Sequence, residues 1–126
     1  MKVVVSTEKA PAAVGPYSQA VKANGFLFIS GQIPIDPETG QIDAVDVAGQ
    51  VKQVLANLDA ILNAEGLTVA DVVKTTIYVT SMDYFKQVNE IYATLFDTKP
   101  PARSTVEVSA LPKGAKVEIE AIAALK

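Results

Sequence analysis

The chain has 126 residues, 49% of them apolar and 20% charged, with no Ser/Gly/Pro-rich stretch or charge run to divide it, so residues 1–126 read as one domain with a packed core. Eleven Lys and Arg against fourteen Asp and Glu give a net charge of −3 and a pI near 4.8, the wrong balance for gripping a nucleic-acid backbone. There is no Cys and no His, which excludes disulfides, thiolate nucleophiles, zinc held by Cys or His, and any imidazole base. Acid and base work falls to carboxylates, Tyr, Lys or the backbone.

The N-terminal MKVVVSTEKAPAA has three consecutive apolar residues, too few for a signal peptide. No segment approaches the roughly 20 apolar residues of a membrane span, so a cytoplasmic protein without membrane contact is the expectation. From Pro16 the run YSQAVKANGFLFIS sets two apolar segments on either side of Asn24-Gly25, which predicts a β-hairpin with a type I′ turn. Pro34, Asp36-Pro37 and Gly40 mark a turn-rich connection. Val47, Val51, Val54, Leu55, Leu58, Ile61 and Leu62 then recur at helical spacing, with Asp43 or Asp46 as start and Gly66 as stop.

Thr68 to Asp71 reads as a short capped turn, and the β-branched run VVKTTIYVT as a strand. A second helix is expected from near Asp83, with Phe85, Val88, Ile91, Tyr92, Leu95 and Phe96 inward, ended by Pro100-Pro101. Two further strands, near Arg103 to Val108 and Lys116 to Ala123, flank LPKG. The order ββαβαββ predicts an α+β fold, a mixed sheet with both helices on one face. The last strand is not wholly polar on either face, so the uncovered side of the sheet points to oligomerisation.

Arg103 enters a strand behind Pro101-Ala102, where its planar fork suits a carboxylate; a surface arginine paired with an acid is the plainer reading. Glu118 and Glu120, two apart on a strand, share a face and could supply an acid/base carboxyl or simply a solvated surface; position does not separate them. Tyr17 follows a Gly-Pro turn, where its phenol could cap a pocket or merely pack its ring. Asn89 lies on the inward row of the second helix, as a buried network or a site. Gly31, in Ser30-Gly31-Gln32, either admits a ligand to the backbone or serves a bulge.

Six blocks in order, GPYSQAV, FISGQIP, VKTTIYV, VNEIYATLF, PARSTVEVSALP and VEIEAIA, resemble the RidA/YjgF family from about Thr7 to Ala123. The resemblance implies a chorismate-mutase-like fold, a homotrimer with sites between subunits, no cofactor and no metal. It also implies hydrolysis of 2-iminoacids, or of their enamine tautomers 2-aminoacrylate and 2-aminocrotonate, to 2-oxoacids and ammonia. By motif, Arg103 corresponds to the residue that clamps the substrate carboxylate and Glu118 to the one that activates water. Tyr17, Ser30, Gly31 and Asn89 correspond to the pocket lining. Thr105 stands where many members have cysteine; its backbone N–H remains available to the ligand. The alternative is a non-catalytic binding, chaperone-like or translation-inhibitor-like member of the same fold.

Overall fold

The computed structural model describes residues 1–126. Its elements are β1 (Val3–Val5), β2 (Ala20–Ala23), β3 (Phe26–Gln32), α1 (Val47–Ala64), β4 (Val72–Val79), α2 (Phe85–Leu95), β5 (Ala102–Glu107) and β6 (Val117–Ala124). The expected elements are all present, and a strand is added before them, making the order βββαβαββ. Three valines are too short a run to announce a strand from sequence. Pairing with β2, Val4 against Val21, holds them at the sheet edge. The last two strands lie within one residue of the expected bounds, and α2 starts at Phe85 after a 3-10 turn whose cap is Ser81.

The hairpin turns on Asn24 and Gly25, both at positive φ (52° and 84°), as a type I′ turn requires. Asp46, not Asp43, caps α1, its carboxylate accepting the Gly49 N–H. Gly66 closes the other end at φ 71°, and the bonds Gly66 N–H to Asn63 O and Leu67 N–H to Leu62 O satisfy carbonyls that the helix leaves free. Thr68 and Asp71 form the reciprocal capping pair that leads into β4.

The six strands form one sheet in the order β1-β2-β3-β6-β4-β5, with β4 and β5 parallel and the other neighbours antiparallel. Leu27, Ile29, Ile77, Val79, Val117 and Ile119 are buried beneath Val51, Val54, Leu58 and Ile61 of α1 and Val88 and Tyr92 of α2. Each contributes about 1.5–3 kcal/mol by leaving water. The opposite sheet face has no such cover: Phe26, Phe28, Val73 and Val106 remain exposed. No helix is long and apolar enough to cross a membrane.

Three buried amides tie the loops to this frame. Gln19 accepts from Thr7 N (2.6 Å) and donates to the carbonyls of Thr7 (3.0 Å), Ala10 (3.3 Å) and Pro11 (2.8 Å). Asn57 donates to Ile33 O and Ile35 O. Gln50 donates to Ala44 O and accepts from Lys116 N. Buried amides are tolerated only when their partners are met, so these bonds fix segments that carry no regular structure.

Candidate functional site

Near its end β3 gains one residue over β6: Ile29 faces Ala121, but Gln32 faces Ile119. The extra residue is a bulge at Ser30-Gly31. Ser30 ties it to the preceding loop through its N–H to Gln19 O (3.0 Å) and its hydroxyl to Ser18 O (2.6 Å). Gly31 lies in the bulge, one of its two expected roles, and its missing side chain leaves room for another group of the chain. That group is Glu118, since a Cβ at Gly31 would lie 2.8 Å from Glu118 Cδ and closer still to Oε2.

Glu118 is half-buried, and burial, followed by the charge of Glu120, pushes its carboxyl above the ordinary carboxylate range. It opens into a cleft of about 680 Å³ whose walls include Tyr17, Ser30, Gly31, Ile33 and Lys113. Both walls are fixed by the amide ties of Gln19 and Asn57. The Tyr17 N–H bonds to Gly15 O (2.8 Å) in a tight turn, leaving the side chain exposed at the rim. Lys113 holds a left-handed backbone (φ 56°), a conformation that costs a non-glycine residue energy and tends to gather at working sites.

The second group lies elsewhere. On β5, Arg103 stands in register with Thr75, and Thr105 with Ile77, so both point to the helix-covered face. The Arg103 guanidinium carbon lies 5.1 Å from the ring centre of Tyr92 and 5.7 Å from that of Phe85, cation–π geometry that orients the fork. Tyr92 is in turn fixed by Thr75, hydroxyl to hydroxyl at 2.7 Å, and stacks on Phe96 at 4.4 Å. Burial raises the Tyr92 pKa, opposed by the Thr75 bond and the Arg103 charge.

Arg103 has no acid partner: the ion pair in the structure is Lys22–Glu65 at 2.7 Å. Its forked donors stay free, and the reading of a surface arginine paired with an acid does not hold. Beside it, Asn89 Oδ1 and Thr105 Oγ1 are buried without a hydrogen-bond partner. A buried polar atom left unmet costs about 1–3 kcal/mol, so the two together make a polar spot beside the Arg103 fork. The Val108 N–H bonds to Val79 O, and alternation along the strand then turns the N–H groups of Arg103, Thr105 and Glu107 toward the free edge of the sheet.

Antiparallel register puts Glu118 opposite Tyr78 and Glu120 opposite Thr76, on the uncovered face. The structure thus gathers Tyr17, Ser30, Gly31 and Glu118 in one cleft and Asn89, Arg103 and Thr105 at the β5–α2 edge, with the sheet between Arg103 and Glu118. Glu120 is exposed and accepts a bond from the Tyr78 hydroxyl at 2.8 Å. Sequence reasoning passed over Gln19, Lys113 and Tyr78. Gln19 was two residues past Tyr17 in the same block, and Tyr78 shared a strand face with Thr76, but neither pairing partner is visible without register.

The sequence profile of the family described as Endoribonuclease L-PSP matches residues 7–125. A RutC family protein of Pyrococcus horikoshii is 55% identical, over 98% of each chain. The 2-iminobutanoate/2-iminopropanoate deaminase of Mus musculus is 52% identical, over 95% of this chain and 89% of its own. The crystal structure of the YjgF gene product of E. coli superposes with a TM-score of 0.93 at 47% identity, covering 98% of this chain and 99% of that one. Identity at this level along the whole length, on one shared backbone, settles descent: the chain belongs to the Endoribonuclease L-PSP family, the family of YjgF and RidA.

Proposed function

We propose that the protein hydrolyses 2-iminoacids and their enamine tautomers, 2-aminoacrylate and 2-aminocrotonate among them, to 2-oxoacids and ammonia. The observation that carries this reading is Glu118: a half-buried carboxylate of raised proton affinity, pressed against Gly31 in a cleft with fixed walls. An imine carbon is already electrophilic, so a positioned water and one carboxylate suffice, without metal, cofactor or imidazole.

In this mechanism Arg103 holds the substrate carboxylate through two parallel N–H···O bonds, and Thr105 and Asn89 supply further polar contacts. Glu118 takes a proton from water as the oxygen bonds to C2 of the protonated imine, giving a carbinolamine. The same carboxyl returns that proton to the nitrogen. The C2–N bond then breaks, its electron pair leaving with ammonia as the C2 oxygen becomes the ketone and releases its proton. A carboxyl with raised proton affinity suits both directions of transfer. The deaminase name of the mouse relative supports the reaction class. An RNA substrate fits poorly with a net charge of −3 and no histidine.

Because Arg103 and Glu118 sit on opposite faces of one sheet, the reading requires a second copy to bring an Arg103 to each Glu118 cleft, and the uncovered sheet face supplies the area for that contact. A homotrimer is the proposed assembly, and light scattering is expected to give close to three times 13.3 kDa. The deciding assay generates 2-aminoacrylate from serine with a dehydratase and follows pyruvate release. Acceleration by this protein, abolished in Glu118→Gln, supports the deaminase. No acceleration, with 2-oxoacid binding retained, replaces it by a binding module.

A further inference from the structure

Glu118 does not stand alone on its face of the sheet. The register sets Tyr78 directly opposite it and Thr76 opposite Glu120. The tyrosine hydroxyl reaches diagonally to donate to Glu120 Oε1 at 2.8 Å, a distance within reach of a long side chain across an antiparallel pair. A glutamate on an open strand face ordinarily samples several rotamers; one bonded to a cross-strand phenol keeps one position. That position is beside Glu118, two residues along the same face. The bond to Glu120 is also the largest cause of the raised Tyr78 pKa, with the charge of Glu118 adding to it.

The other charged and titratable groups near Glu118 are engaged differently. Lys116 turns its Nζ to Val45 O (2.6 Å), and Lys74 binds Thr75 O and Ser104 Oγ. Tyr17 and Lys113 line the same cleft as Glu118. Within one chain Glu120 is therefore the negative neighbour of Glu118, and the positive one is the Arg103 that the proposed assembly brings from a second copy.

We propose that Tyr78 and Glu120 form a positioning pair, in which Tyr78 anchors the Glu120 carboxylate beside Glu118 and the anchored charge makes Glu118 a stronger base toward the attacking water. This rests on the reading of Glu118 as the group that activates water. Neither Tyr78 nor Glu120 touches the substrate; both act through Glu118.

The test measures two things on the full chain in wild type, Glu120→Gln, Glu120→Asp and Tyr78→Phe. One is the carbon-13 titration of the glutamate carboxyls, with the Glu118 signal assigned by its loss in Glu118→Gln. The other is the pH profile of kcat and KM for imine hydrolysis. In Glu120→Gln the Glu118 midpoint and the acidic limb of kcat/KM should move to lower pH by about half a unit or more, within the shifts that neighbouring charges impose. The kcat plateau should fall severalfold while KM stays within about twofold, because a weaker base slows the step without loosening the substrate. Glu120→Asp, which keeps the charge, should restore most of the shift, and Tyr78→Phe should move the midpoint in the same direction as Glu120→Gln but less. A Glu118 midpoint unmoved by Glu120→Gln overturns the inference and leaves the deaminase reading standing; one moved by Glu120→Gln but not by Tyr78→Phe removes Tyr78 and breaks the pair. A wild type that does not accelerate imine hydrolysis overturns the reading beneath it, and the carboxyl titration, which needs no turnover, tells the two failures apart.

Discussion

Replacing Gly31 by Ala perturbs the site through a single methyl. Gly31 does not have a positive φ, so alanine meets no backbone strain; what it meets is Glu118, with the new Cβ 2.8 Å from Cδ and 3.1 Å from Cγ. The side chain must withdraw by about an ångström or leave its rotamer, at a cost of about 0.5–1.5 kcal/mol. Against this, a stiffer unfolded chain returns about 0.4–1 kcal/mol. Net stability should therefore stay within about 1 kcal/mol of wild type. Activity should not, since a misplacement of about 1 Å costs on the order of a hundredfold when a positioned group does the chemistry. The dehydratase-coupled assay, run beside thermal unfolding, should show a large fall in kcat/KM with little change in Tm. Gly25→Ala is the mirror-image control: nothing crowds its Cβ, but its φ of 84° charges alanine about 1–2 kcal/mol, so stability should fall and activity per folded molecule persist. Wild-type turnover in Gly31→Ala would show that the contact between Gly31 and the Glu118 carboxylate is irrelevant to the reaction.

Arg103→Lys should weaken binding of a 2-oxoacid product, measured by calorimetry, by about 1.5–3 kcal/mol, or roughly tenfold to more than a hundredfold, because an ammonium cannot reproduce the bidentate fork. Glu118→Gln should raise Tm at neutral pH. The folded pKa of Glu118 lies above its unfolded value, so the cost of ionising it is absent below about pH 4 and fully present above the folded pKa. The gain should therefore appear near neutrality and vanish in acid, and equal gains at both pH values would refute the assignment. Gln19→Leu should destabilise by about 2–4 kcal/mol in denaturant unfolding, since it strands the Thr7 N–H and the carbonyls of Ala10 and Pro11.

The elements that sequence announced were those whose local and tertiary signals agree. The stripe from Val47 to Leu62 became the buried face of α1, and Asn24-Gly25 turned as its chemistry demands. Where one residue type could play a part at two positions, only the fold decides: Asp43 and Asp46 both precede α1, yet only Asp46 reaches the Gly49 N–H. β1 was illegible because a three-residue edge strand has almost no pattern of its own and exists through its partner. The buried amides Gln19, Gln50 and Asn57 were invisible for a related reason, since their value lies in backbone groups up to 66 residues away.

The glutamate ambiguity had the same origin. Residues two apart on a strand share a face, and nothing along the chain says which of them meets a glycine. The bulge in β3 breaks the tie, placing Glu118 against Gly31 and leaving Glu120 to Tyr78. The residues that the resemblance assigns to a site between subunits fall, in one chain, into two groups separated by the sheet. That division also bears on the proposed assembly. An interface that joins the Glu118 cleft of one copy to the β5–α2 edge of another uses different surfaces on each side. Unless both surfaces meet their counterparts across a single two-fold axis, such a contact is head-to-tail and ends in a closed ring or an open filament. A ring gives every chain one donor edge and one acceptor cleft, so sites and subunits are equal in number. Three is the proposed number of copies, and a stable two-fold dimer with full activity would contradict it.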